Sequence, residues 1–144
     1  MKVVVTCVKE ASVRVNNEEV SHINHGLLLL VGFTNGDTID NIKYMTRKIS
    51  NLRIFSDQNN VMNLSIKDIK GEVLSVSQFT LYADCKKGNR PSYGNALNHN
   101  DAEELYSIFN EELKKEIPVK TGIFRENMEV FSINDGPTTI ILEK

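Results

Sequence analysis

Two short stretches set polar or conformationally unusual residues where the surrounding pattern asks for plain strand: Ser77-Gln78-Phe79-Thr80-Leu81 and Asn134-Asp135-Gly136-Pro137. The first carries two hydroxyls and an amide. Buried polar groups cost free energy unless they are paired, so these side chains either meet partners inside a sheet or face a site. By residue type Thr80 is the candidate nucleophile, but a hydroxyl needs an activating base within hydrogen-bond reach. The chain has three histidines, His22, His25 and His99, and none lies in or beside that stretch. The second stretch suits a hairpin turn, since Asn, Asp and Gly tolerate positive φ and Pro holds φ at about −65°. Lys86-Lys87-Gly88-Asn89-Arg90 is the densest basic run and follows soon after the first stretch. Alone it reads as a solvated loop; next to a site, Lys86, Lys87 and Arg90 could hold phosphate oxygens without reading base sequence.

Other familiar chemistries lose their support. His22 and His25 form an H-x-x-H pair with no accompanying glutamate, so a surface turn is favoured over a metal site. His99 sits among Asn98, Asn100 and Asp101, a cluster that helix capping explains. No G-x-S-x-G elbow, Walker loop or dinucleotide fingerprint occurs. Cys7 and Cys85 are far apart without partners at metal-ligand spacing and read as free thiols of a reducing compartment. No metal and no cofactor is expected.

The elements that must position these residues follow from periodicity. Val3, Val5 and Cys7 alternate with Val4, Thr6 and Val8, and Val13 to Val15 extend a β-branched opening, so the chain begins with strands. Gly26 to Phe33 is a nearly unbroken apolar run, as expected for a strand covered on both faces. It stops at Asn35-Gly36-Asp37, a turn signal. Ile39, Ile42, Ile49 and Leu52 then recur at helical spacing opposite Lys43, Arg47 and Lys48. Arg53-Ile54-Phe55 reads as a short strand, and Val73 to Leu81 as strand throughout. Asn100 with Glu103 predicts the start of a second helix, whose apolar face is Leu105, Ile108, Phe109 and Leu113. Glu129 to Ile133 and Thr138 to Leu142 read as two closing strands joined by Asn134-Asp135-Gly136-Pro137. The order predicts an α/β fold, a mixed sheet with two main helices packed on it.

The chain has 144 residues with no linker, repeat or low-complexity tract, so residues 1–144 read as a single domain. That length supports a core without staples. A formal net charge of −2 removes any simple picture of a polybasic nucleic-acid clamp. The Leu27 to Val31 run is far too short for a membrane helix, and the N-terminus lacks a signal-peptide core. A cytoplasmic protein without membrane contact is expected.

Taken together, the Ser77 to Leu81 and Asn134 to Thr139 motifs resemble the two signatures of the D-aminoacyl-tRNA deacylases, also called D-tyrosyl-tRNA deacylases. The resemblance extends over almost the whole chain, through Ala11-Ser12-Val13, Arg53-Ile54-Phe55-Ser56-Asp57, Met62-Asn63-Leu64, Gly88-Asn89-Arg90-Pro91, Thr121-Gly122, Phe124 and Met128. It implies a metal-independent homodimer of barrel-like α/β/β domains that share active sites and hydrolyse the ester of D-aminoacyl-tRNA. It also implies that the Gly136-Pro137 bond is cis and enters the partner's site. There, main-chain carbonyls would collide with an L side chain and leave a D side chain free, so selection works by repulsion. Glycine has nothing to repel, and misacylated glycyl-tRNA is an expected second substrate.

Ser77 and Gln78 would position the ester, main-chain N–H groups of Phe79 or Thr80 would stabilise the oxyanion, and Phe124 and Met128 would line the pocket. The 2′-hydroxyl of the terminal adenosine would help activate water. Three residues depart from the family pattern: Cys7 in place of the usual arginine, Thr138 in place of valine and Thr6 in place of glutamine. The rival expectations are a general esterase using Thr80 as nucleophile and a noncatalytic, dimeric tRNA-binding module.

Overall fold

A computed structural model describes residues 1–144. The elements run β1 (Lys2–Val15), β2 (Glu18–Ile23), β3 (Gly26–Gly32), α1 (Ile39–Ser50), β4 (Phe55–Ser56), β5 (Met62–Leu64), β6 (Glu72–Ser77), a 3-10 turn (Phe79–Tyr82), α2 (His99–Lys114), β7 (Val119–Thr121) and β8 (Glu129–Glu143). The main sheet has the order β2-β1-β3-β6-β7, with β8 laid along β1. β1 is long enough to pair β3 with its first half and β2 with its second. Its other edge pairs β8 from end to end. β3, β6 and β7 are mutually parallel, and each parallel step is bridged by a crossover containing a helix, as that pairing demands.

The two faces of this sheet are buried differently. On one face Val3, Val5, Leu27, Leu29 and Val31 pack with Ile42, Met45 and Ile49 of α1 and with Phe109 and Leu113 of α2. On the other, Val8, Val13, Ile23, Leu28, Leu74 and Val76 form a separate cluster with no helix over it. What closes that cluster is the curl of the sheet: the Ser21 hydroxyl on β2 donates to the Thr121 carbonyl on β7 at 2.5 Å, so the two sheet ends meet in a nearly closed barrel. The unbroken apolar run of β3 is thereby explained, since it has side chains in both clusters.

α1 starts where the change of period places it. Thr38 accepts from the Asn41 N–H at 3.3 Å, and the Asn41 side chain accepts from the Thr38 N–H in return. Three expectations need correction. α2 is capped by Asn98, whose side chain accepts from the Asp101 N–H at 3.2 Å, so Asn100 lies inside the first turn. The strand expected from Val73 to Leu81 ends at Ser77, because its partner β3 ends at Gly32 and the ladder closes with Gln78 N–H to the Val31 carbonyl at 2.7 Å. The closing residues make no hairpin. Thr139 pairs Thr6 and Asn134 pairs Val8, so the chain keeps its direction along β1 and residues 135–138 bulge out opposite Cys7.

Candidate active site

The parallel neighbours β3 and β6 end side by side, and a crevice beyond the carboxyl ends of parallel strands is where α/β sheets hold ligands. Here it is a cavity of about 510 Å³. Gly32 and Phe33 from the end of β3, and Ser77, Gln78 and Phe79 from the end of β6, form one side; Leu97, His99 and Ala102 at the start of α2, and the segment Phe124 to Met128 with Val130, form the other. The first hydrogen bond of the 3-10 turn is Leu81 N–H to the Gln78 carbonyl at 3.3 Å. The N–H groups of Phe79 and Thr80 precede it and have no acceptor within the turn. Gly32 allows that turn to sit close, since a Cβ there would lie 2.9 Å from the Gln78 carbonyl oxygen.

Thr80 lies on the turn outside the cavity lining. Its hydroxyl accepts from the Gln78 side-chain amide at 2.5 Å, a partner that cannot take a proton from it. Neither of the other histidines comes to it: His25 packs edge-on against Phe55 at 5.3 Å and pairs with Asp135 at 3.8 Å, and His22 lies on β2. His99 is on the cavity wall, with its ring centroid 6.4 Å from that of Phe79.

The opposite wall is built on a buried support. Phe124 leans on Tyr106, ring centroids 5.8 Å apart, and the Tyr106 hydroxyl donates to the Ser75 carbonyl at 2.8 Å. Burial pushes the Tyr106 phenol up from its ordinary range, so it stays a neutral donor. Met128 lies against Gly122, where a Cβ would come within 2.5 Å of its sulfur. Between Phe124 and Met128, Arg125 has a φ of 66° and the turn brings Arg125, Glu126 and Asn127 onto the cavity wall. No sequence signal marks these three polar residues or His99 as part of a site; only the nearby Thr121-Gly122, Phe124 and Met128 pattern points to that segment.

Gly136 and Pro137 are joined by a cis bond, and neither lines the cavity. They lie in the bulge opposite Cys7, where Asp135 faces His25. The Cys7 thiol is pushed up to about 11, chiefly by burial and further by the Asp135 charge. It offers the bulge no positive charge. Thr6 meets Thr139, hydroxyl to hydroxyl, at 3.3 Å.

Lys86, Lys87 and Arg90 also stay outside the cavity, on an exposed tongue closed by paired main-chain bonds between Asp84 and Ser92 at 2.8 and 2.9 Å. No carboxylate pairs with them. No three metal-ligating side chains converge anywhere in the chain, and no helix is long and apolar enough to cross a membrane. β8, by contrast, pairs with β1 alone, and Phe131, Ile133 and Ile141 on it are 47%, 52% and 68% exposed.

A curled mixed sheet with two helices on one side and a cavity over its parallel strand ends defines an α/β protein with a pocket-like site at those ends. Residues 4–143 match the family model described as D-Tyr-tRNA(Tyr) deacylase. This chain belongs to that family, and is a hydrolase acting on aminoacyl-tRNA. A solved structure described as c-Myc DNA Unwinding Element Binding Protein is 41% identical, covers 100% of this chain and 99% of its own, and superposes with a TM-score of 0.95. Another, described as a probable eukaryotic D-amino acid tRNA deacylase, is 15% identical, with 98% and 97% coverage and a TM-score of 0.83. At that identity it speaks for the fold.

Proposed function

We propose that the protein hydrolyses the ester of D-aminoacyl-tRNA, releasing free D-amino acid and tRNA, and that it spares L-aminoacyl-tRNA through the Gly136-Pro137 bulge of a partner protomer. One observation carries the reading: the bulge sits on β8, a strand of 15 residues with one edge unpaired and large apolar side chains in the open. A long exposed edge of this kind invites pairing with another chain. In the proposed dimer the partner's bulge supplies the wall over the cavity, which Gly136 and Pro137 of the same chain do not line.

In the proposed mechanism the amino acid occupies the cavity, with its ester carbonyl toward the Phe79 and Thr80 N–H groups. Water attacks that carbonyl, assisted by the 2′-hydroxyl of the terminal adenosine, and the two N–H groups hold the developing oxyanion. The acyl–oxygen bond to the ribose then breaks, one proton from water ends on the departing 3′-oxygen, the other passes to solvent, and the carboxylate is released. Ser77 and Gln78 position the ester, and Phe124 and Met128 border the amino acid. The partner's main-chain carbonyls fill the space an L side chain would need. Because the check excludes a side chain rather than recognising one, glycyl-tRNA passes it. Lys86, Lys87 and Arg90 meet phosphates of the tRNA.

The test is hydrolysis of D-tyrosyl-tRNA against a no-enzyme control, with a simple alkyl ester of D-tyrosine alongside. The proposal expects turnover of the tRNA ester and none of the alkyl ester, which lacks a ribose hydroxyl. Equal turnover of both would make the protein a general esterase, and turnover of neither a binding module.

A further inference from the structure

A cavity of about 510 Å³ is of a size to hold one small ligand. If the aminoacyl group and its ribose enter it, as the proposed function requires, the remaining nucleotides of the single-stranded acceptor end must leave across the rim. At that rim three rings stand together. Phe79 and Tyr93 meet at 5.1 Å between centroids and 64° between planes, and Phe79 and His99 at 6.4 Å and 81°. Rings inclined this way leave each other at least one open face. Phe79 is 48% exposed and Tyr93 42%.

Single half-exposed aromatics are ordinary on protein surfaces. Three joined through Phe79, two of them also lining a cavity, are not explained by core packing. Tyr93 follows directly on the Asp84–Ser92 pairing that closes the cationic tongue. The bridge between Thr34 and Ala96, together with Leu97 N–H to the Phe33 carbonyl at 3.0 Å, fixes the other end of the segment against the end of β3. The ring is therefore held between the cavity mouth and three cations without carboxylate partners. Stacking surfaces beside a positive track are what single-stranded nucleic acid binds, because every base has a π face and every nucleotide a phosphate.

We infer that Phe79, Tyr93 and His99 form a stacking platform for the unpaired nucleotides preceding the terminal adenosine, with Lys86, Lys87 and Arg90 meeting their phosphates. The inference rests on the reading of tRNA as substrate, but not on turnover.

The experiment measures binding of a fluorescent RNA hairpin with a 3′ single-stranded CCA end, and of the same hairpin cut blunt, to wild type, Tyr93→Ala and Tyr93→Phe. The wild type should prefer the overhang. Tyr93→Ala should lose about 5- to 150-fold in affinity for it, the range for one stacked base, while Tyr93→Phe keeps the preference. Removing Lys86 or Arg90 should lower the salt slope of binding by roughly one for each phosphate that the side chain neutralises. Equal binding of both hairpins by wild type, or an unchanged preference in Tyr93→Ala, overturns the platform. So does dissociation of a dimer by Tyr93→Ala, which would assign the ring to a subunit contact. Overhang preference without any hydrolysis of D-aminoacyl-tRNA would support the platform and sink the deacylase reading, so the two fail separately.

Discussion

Gly32→Ala probes the turn that supplies the oxyanion donors by pressing on its main chain at Gln78 while leaving the Phe79 and Thr80 N–H groups chemically intact. The new methyl would lie 2.9 Å from the Gln78 carbonyl oxygen, 3.2 Å from Leu81 Cβ and 3.5 Å from Leu81 Cδ1. The first neighbour is main chain and cannot swing aside. It is pinned from both sides, because the Gln78 carbonyl accepts from Leu81 N–H at 3.3 Å and Gln78 N–H donates to the Val31 carbonyl at 2.7 Å. Relief must come from rolling the whole Phe79–Tyr82 turn outward by a few tenths of an ångström. Overpacking of this kind costs about 1–3 kcal/mol, a cost the fold should survive. The chemistry is less tolerant: loss of one aligned oxyanion donor lowers kcat about 10²- to 10³-fold. Urea melts and single-turnover hydrolysis of D-tyrosyl-tRNA read the two effects separately. A wild-type kcat in a protein destabilised as expected would refute the assignment of the Phe79 and Thr80 N–H groups, because the turn would have moved without consequence.

Four further outcomes follow from the geometry. Thr80→Ala removes a hydroxyl that accepts from the Gln78 amide and has no base beside it, so turnover should stay within about tenfold of wild type; a fall beyond about 10⁴ with an unchanged melt would restore the nucleophile. Cys85 is exposed and Cys7 buried with its thiol at about 11, so a chromogenic disulfide at pH 8 should count one fast thiol and a second only on unfolding. The folded state favours the protonated Cys7 above the ordinary 9.0 of the unfolded chain. Its contribution to stability is therefore full below pH 9 and declines as pH rises toward 11, a decline that Cys7→Ala should remove from urea melts. Ile141→Glu places a charge on a side chain that is 68% exposed in the protomer; sedimentation should show monomers and the hydrolysis assay little activity, whereas an active monomer would contradict the shared site.

What could be read from the sequence was what local periodicity decides. The buried run of β3, the period of α1, and the free thiols of Cys7 and Cys85 needed no knowledge of neighbours. The errors share one cause. Ser77 to Leu81 has a strand pattern, yet its strand stops where a different strand runs out at Gly32. Asn98 and Asn100 are equivalent as local caps, and Leu97 N–H bonding to the Phe33 carbonyl puts Asn98 at the helix start. That same attachment sets His99, which otherwise reads as part of a capping cluster, on the cavity wall. Asn134 to Pro137 fits a turn or a bulge equally well, and only the uninterrupted edge of β1 makes it a bulge. Phe124 and Met128 were legible through family resemblance alone, because their support by Tyr106 and Gly122 is a tertiary fact.

The account stands or falls on handedness. The most direct measurement is the ratio of initial hydrolysis rates on one tRNA charged with D-tyrosine and with L-tyrosine, each corrected for spontaneous loss. Rapid deacylation of the D ester is expected, with a rate on the L ester indistinguishable from the uncatalysed one. Comparable enzymatic rates on the two would contradict it.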